Sequence, residues 1–131
     1  HHDVLNGDAG NDSLDGGEHN DTLNGGADVD TLTGGSGSDT FVFTSGQTGV
    51  GVGFRDIITD FNGDHLDKLD LTNFGDLTVV NTFTGTHGEL RIITEGTTKI
   101  IAIDSTGDGT VDAEIQLDNA GNVYDINLLI L

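Results

Sequence analysis

The chain has 131 residues, a formal charge of −19 and neither cysteine nor proline. That length supports one ordinary domain, able to bury roughly 65% of the surface its unfolded form exposes. Negative charge at this density opposes compaction unless cations are taken up, and it disfavours nucleic acid and anionic membranes as partners. The missing cysteine excludes disulfides and thiolate metal sites.

A 34% hydrophobic content keeps the chain out of the plainly disordered class. The four cations, Arg55, Lys68, Arg91 and Lys99, are scattered rather than clustered. No stretch reaches the length of a membrane span, no secretory signal peptide opens the sequence, and His1 stands where Met would. The chain therefore reads as a piece excised from a larger protein.

From the N-terminus the dominant feature is a period of nine. Asp3, Asp12, Asp21, Asp30 and Asp39 are spaced nine apart, and two residues after each comes Leu5, Leu14, Leu23, Leu32 or Phe41. Glycine pairs precede three of them, Gly16 with Gly17, Gly25 with Gly26 and Gly34 with Gly35. The register from Gly34 to Val42, GGSGSDTFV, fits the RTX nonapeptide pattern GGxGxDxUx. Paired glycines permit positive φ, so the backbone can turn tightly and aim carbonyl oxygens inward. The aspartate adds charge, and the tripeptide around the apolar residue is a minimal strand with one side chain facing inward. Two repeats then make one coil of a flattened parallel β-roll, and like residues stack eighteen apart. Carbonyl and carboxylate oxygens, with no call for nitrogen or sulfur, suit Ca²⁺ better than a transition metal.

The repeats end at about Phe43. Gly46, Gly49, Gly51 and Gly53 then form a flexible crossing. Beyond it the period falls to two: Asp56 to Phe61, Glu89 to Thr94, Thr98 to Ile103 and Val111 to Leu117 read as strands, with turns at Glu95–Gly96 and from Gly107 to Gly109. Leu71 to Phe74 and Val123 to Leu129 are the places for a helical turn. The expected fold is all-β, with a roll over 1–43 and an antiparallel cap or sandwich over 44–131 that covers the roll edge, forming one continuous module.

Taken in order, the repeats, Asp39 to Phe43, Arg55 to Phe61 and Asp67 to Leu71 resemble the C-terminal domain of serralysin-type metalloproteases. Modules similar to it end mannuronan epimerases, RTX lipases and adhesins. The resemblance covers nearly the whole chain and implies a secreted, extracellular module that binds calcium, about three to five ions, folds after type I export and carries its secretion signal at the C-terminus. Carried over by position, the implied ligands are the carboxylates Asp3, Asp12, Asp21, Asp30 and Asp39, and the turn residues Gly7, Gly10, Gly16, Gly17, His19, Gly25, Gly26, Asp28, Gly34, Gly35 and Gly37. Asp56 and Asp67 complete the set beyond the repeats. Asp56, 17 residues after Asp39, is expected to complete the last site, with Asp67 closing its shell from the adjoining strand. Thr48 stands where serralysins often have Asp, Asp8 replaces the second glycine of its repeat, and His19 and Asp28 occupy a glycine position. The tail Tyr124 to Leu131 looks like the acid-then-hydrophobic end of such secretion signals, and also like a final core strand.

Other motifs carry less. Asp104 to Asp112 mimics the start of an EF-hand loop, but Ile115 stands where its bidentate Glu belongs, so a hairpin turn is expected. His65 likewise stands where an EF-hand glycine belongs in the run Asp60, Asn62, Asp64. His1 and His2 read as a tag remnant or the end of a truncated repeat, and no histidine has zinc-like spacing. No serine has a nucleophile-elbow context, and every carboxylate cluster has a metal or turn explanation, so no catalytic residue is expected. The expected partners are Ca²⁺ and the type I secretion machinery. The alternative is a carbohydrate-binding module of a polysaccharide-modifying enzyme, holding an anionic, alginate-like polymer. Membrane insertion is not expected, and the module is expected to act as a monomer.

Overall fold

The computed structural model describes residues 1–51, 53–62, 66–118, 120 and the backbone of 129–130. Its strands are β1 (Val4–Asn6), β2 (Ser13–Asp15), β3 (Thr22–Asn24), β4 (Thr31–Thr33), β5 (Thr40–Val42), β6 (Asp56–Ile58), β7 (Lys68–Asp70), β8 (Thr78–Val79), β9 (Glu89–Glu95), β10 (Thr98–Asp104), β11 (Ala113–Leu117) and β12 (Leu129–Ile130). One 3-10 turn spans Thr72–Phe74, at the first of the two expected helical turns. Most of the second, Val123 to Leu129, lies outside the described residues. Among the described residues no helix is long and apolar enough to cross a membrane.

Each of β1 to β5 has three residues, because a glycine-containing turn interrupts the chain after every tripeptide. From β1 to β8 consecutive strands go to opposite sheets. One sheet has the order β1-β3-β5-β7-β12, the other β2-β4-β6-β11-β10-β9-β8. The roll pairs are parallel and in register, Leu5 on Leu23 and Leu14 on Leu32. The central residue of each tripeptide points between the sheets, which builds two apolar columns. Leu5, Leu23, Phe41 and Leu69 form one, and Leu14, Leu32, Ile58 and Leu117 the other.

Leu23, Leu32, Phe41, Ile58 and Leu69 are fully buried, each contributing about 1.5–3 kcal/mol of apolar transfer. Leu5 and Leu14 are only partly buried, since the first coil has a neighbour on one side alone. Phe61 closes the interior against Phe41, ring centroids 6.1 Å apart.

The antiparallel part is continuous with the roll rather than stacked upon it. β10 pairs with β9 and β11 antiparallel, and β11 pairs with β6 in parallel. Both sheets therefore run past residue 43. The glycine-rich crossing is pinned to β11: Thr48 Oγ1 donates to the Glu114 carbonyl, and the Glu114 N–H donates to the Gly49 carbonyl. Arg55 Nη1 meets Glu114 Oε2 at 3.0 Å in a nearly buried ion pair, and Arg55 Nε donates to Gln116.

Candidate metal centre

In all four turns of the repeat region the second and fourth positions have positive φ. The values are 70° and 112° at Asp8 and Gly10, 89° and 85° at Gly17 and His19, 105° and 83° at Gly26 and Asp28, and 91° and 150° at Gly35 and Gly37. Asp8, His19 and Asp28 thus adopt the backbone of the glycines they replace, at a cost of about 1–2 kcal/mol each. The stacking of the turns explains why they submit: Ala27 N–H donates to the Asp8 carbonyl, and His19 N–H to the Ser36 carbonyl. The neighbouring coil thus holds Asp8 and His19 in shape, and beside Asp28 the Val29 N–H donates to Asn11 Oδ1 of the preceding coil.

The repeat aspartates form two ladders, one at each edge of the roll. Oδ1 of Asp21 accepts the Asp3 N–H at 2.7 Å, and Oδ1 of Asp39 accepts the Asp21 N–H at 2.8 Å. On the other edge Oδ1 of Asp30 accepts the Asp12 N–H at 2.9 Å. The second oxygens behave differently. Oδ2 of Asp12, Asp21 and Asp30 is buried with no hydrogen-bond partner. An ionised carboxylate oxygen left so is costly unless a cation answers it.

Beside each of these oxygens lies a gap that exists because a glycine lacks Cβ. A methyl at Gly16 would sit 2.7 Å from Asp21 Oδ2 and 2.8 Å from the Gly34 carbonyl one coil on. At Gly7 it would meet Asp12 Oδ2 and the Gly25 carbonyl, at Gly25 it would meet Asp30 Oδ2, and at Gly34 Asp39 Oδ2. Each cradle thus presents a carboxylate oxygen, and the first two also present a carbonyl from the next coil. Among the described residues no three His, Asp or Glu side chains converge as a side-chain metal site would require. One carboxylate plus backbone oxygens is a hard donor set, and it fits Ca²⁺. Asp3, on the open first coil, is exposed.

Asp56 and Asp67 extend the ladders, though not in the expected register. Asp56 Oδ1 accepts the Asp30 N–H from 26 residues on, and Asp67 Oδ1 accepts the Asp39 N–H from 28 residues on. Asp56 therefore stands over Asp30, not over Asp39 as the sequence spacing suggested. The chain between Phe43 and Arg55 makes a whole turn with extra residues, so a count of eighteen misses the partner. Thr48 does not replace a ladder carboxylate: its buried hydroxyl also accepts the Asp56 N–H. Asp67 Oδ2 accepts the Asn62 N–H. Asp60, which the repeat pattern did not mark, receives Gly34 N–H and Gly35 N–H on its two oxygens, where a further coil would have stacked.

Burial is the main cause that pushes the Asp30, Asp56 and Asp67 carboxyls above the usual range, Asp56 to about 6. Ladder neighbours add to the rise, while the N–H bonds from the preceding coil oppose it. A site that resists negative charge in this way gains from a cation.

The EF-like loop is built as a turn. Asp104 accepts Gly107 N–H and Gly109 N–H, and Asp112 accepts the N–H groups of Ser105 and Thr106. Arg91, Ala102 and Glu114 are cross-strand neighbours, so Arg91 and the Glu114 that holds Arg55 share one face of the seven-stranded sheet. Arg55 is committed to Glu114, Arg91 lies 5.1 Å from the centre of the Phe83 ring, and Lys68 is exposed on β7 in the other sheet.

Residues 1–32 and 15–47 match the family of the RTX calcium-binding nonapeptide repeat, in four copies. No curated protein matches the chain. Among solved structures, the chain is similar over its whole length to the AlgE6R2 subunit of the mannuronan C5-epimerase of Azotobacter vinelandii. The identity is 23%, 92% of that chain is covered, and the TM-score is 0.69. It is also similar to the AlgE6R3 subunit of the same enzyme, at 26% identity over 98% of this chain and 77% of that one, with a TM-score of 0.56.

Proposed function

Residues 1–47 being RTX calcium-binding nonapeptide repeats, we propose that the whole chain is a calcium-triggered folding module of a larger secreted protein, unfolded where calcium is scarce and folded outside the cell after type I export. The observation that carries this reading is the row of buried, unanswered carboxylate oxygens at Asp12, Asp21 and Asp30. Without an ion, each is a buried charge in a chain already at −19. With free calcium at about 100 times Kd, each site contributes about 2.7 kcal/mol. Three such sites rival the total stability of an ordinary domain, about 5–15 kcal/mol. The ligands are the ladder carboxylates and turn carbonyls described above, and no catalytic role is assigned to any residue.

The secretion signal belongs to the same proposal and rests on resemblance. Most of the tail from Tyr124 lies outside the described residues. Leu129–Ile130 pair in parallel with β7, so the end of the chain also serves as a strand of the folded module.

A second reading draws on the likeness to epimerase subunits: a module that holds an anionic polysaccharide. The cations weigh against it, because a polyanion needs several free positive groups along one face, whereas Arg55 is paired with Glu114 and Lys68 lies in the other sheet.

Chelation tests the primary reading. With EGTA, circular dichroism is expected to change from β-rich to largely unfolded and to recover when calcium returns. A spectrum unchanged after verified metal removal would refute the calcium trigger. Alginate retarding the domain in affinity electrophoresis would favour the second reading.

A further inference from the structure

Apart from ladder carboxylate oxygens, one buried side-chain oxygen among the described residues has no hydrogen-bond partner: Oε1 of Gln47. It belongs to the glycine-rich crossing, which turns there through the bond from Gln47 N–H to the Thr44 carbonyl. The crossing lies against the repeat turn of Asp30. Ala27, Asp28 and Val29 from that turn, with Gln47, Thr48 and Phe54, line a groove of about 300 Å³. The two segments are linked through Asp56 at the start of β6, whose N–H donates to Thr48 Oγ1 and whose Oδ1 accepts the Asp30 N–H.

The cradles at Asp12 and Asp21 are each closed by the carbonyl of a following repeat turn, Gly25 or Gly34. The cradle at Asp30 is followed by no repeat. The next turn on that edge is the crossing itself, which lacks the glycine pair, has Gln47–Thr48 nine residues after Ser38–Asp39, and ends at Asp56 over Asp30. Thr48 is already occupied by Glu114 and Asp56. Gln47 remains. An amide oxygen is a hard, neutral donor of the kind Ca²⁺ accepts beside carboxylates.

We propose that Gln47 Oε1 is a calcium ligand of the Asp30 cradle, an amide oxygen standing in for the carbonyl that a further repeat would have supplied. This deepens the calcium reading and depends on it. The two orphaned oxygens, Asp30 Oδ2 and Gln47 Oε1, then answer to one ion. That ion fastens the last repeat turn of its edge to the crossing and, through Thr48 and Glu114, to β11. The amide is neutral, as the carbonyl it replaces would be, so a carboxylate at position 47 adds a charge to this site alone.

The test is isothermal calcium titration of the whole chain as wild type, Gln47→Leu and Gln47→Glu, with circular dichroism at saturating calcium as the check on folding. Gln47→Leu is expected to lose one site or weaken it at least tenfold, leaving the rest unchanged. Gln47→Glu is expected to tighten one site. If Gln47→Leu keeps the wild-type isotherm, or if Gln47→Glu weakens binding as much as Leu does, the proposal is overturned, since the amide then has a packing role only. If Gln47→Leu does not fold, the Gln47→Glu isotherm decides alone: tightening supports the ligand role, and anything else refutes it. Absence of binding by the wild type would instead remove the calcium reading itself.

Discussion

Two adjacent glycines, Gly16 and Gly17, are required for different reasons, and alanine substitution separates them. Gly17 has φ of 89° with nothing within 4 Å of an added Cβ, whereas Gly16 is not in the left-handed region and faces Asp21 Oδ2 at 2.7 Å. Gly17→Ala should therefore cost about 1–2 kcal/mol of backbone strain, the same at every calcium concentration. Gly16→Ala strains no dihedral but fills the space an ion would take. Its cost should grow with calcium, because the wild type gains about 0.4 kcal/mol from one site at free calcium equal to Kd and about 2.7 at 100 times Kd. The difference, about 2.3 kcal/mol, is read from urea midpoints in calcium-buffered solutions. Titration should give one site fewer for Gly16→Ala and the full number for Gly17→Ala. Parallel calcium dependence of the two variants would mean that the gap beside Asp21 is no ion site.

Asp21→Ala should destabilise the calcium-loaded chain more than Asp104→Ala, since it removes the acceptor of the Asp3 N–H and, with the cradle oxygen, an ion site worth about 2.7 kcal/mol at 100 times Kd, while Asp104 supports only its own turn with bonds worth about 1–3 kcal/mol. Equal losses in midpoint and in bound calcium would make the 104–112 loop a site in its own right. The metal-free chain should be more ordered near pH 4.5 than at pH 7.5. Asp56 binds its proton more tightly when folded, so its stabilising share is complete below the unfolded value of 3.8 and is lost as pH rises through about 6, with Asp30 and Asp67 shifted the same way. Calcium affinity should run oppositely, weakening as pH falls through 6 because protons and ions compete for the ladder. Circular dichroism in EGTA and titrations across that range check both slopes. Metal-free order that increases with pH would contradict the burial that raises these carboxyls.

What was legible in the sequence was whatever repeats. The period of nine located β1 to β5, both apolar columns as far as Phe41 and the ladder carboxylates, since stacking translates a spacing directly into a contact. Asp8, His19 and Asp28 depart from the glycine pattern, yet the stacked neighbouring coil imposes the turn. The period of two located β9, β10 and β11, but not that β11 would join β6 and continue the roll's own sheet. Asp56 and Asp67 were marked by resemblance, and Asp56 was assigned the wrong neighbour, because the ladder continues through loops whose lengths obey no period. Arg55 and Glu114 lie 59 residues apart, and no local pattern links them. Gln47 had no signal at all; only its lack of a partner in three dimensions distinguishes it.

Alternation of consecutive strands between two sheets also governs which length changes the gene can tolerate. An eighteen-residue insertion adds one complete coil and returns every later strand to its own sheet, in register with its predecessor. A nine-residue insertion keeps each turn intact but sends β6 and β7 to opposite sides, parting β11 from the strand it joins. A single inserted residue inside a coil turns the next inward leucine outward. The Phe43 to Arg55 crossing has no such arithmetic, having already absorbed residues outside the period. Lineages of this chain should therefore differ by whole coils in the roll and by arbitrary lengths only in the loops that follow.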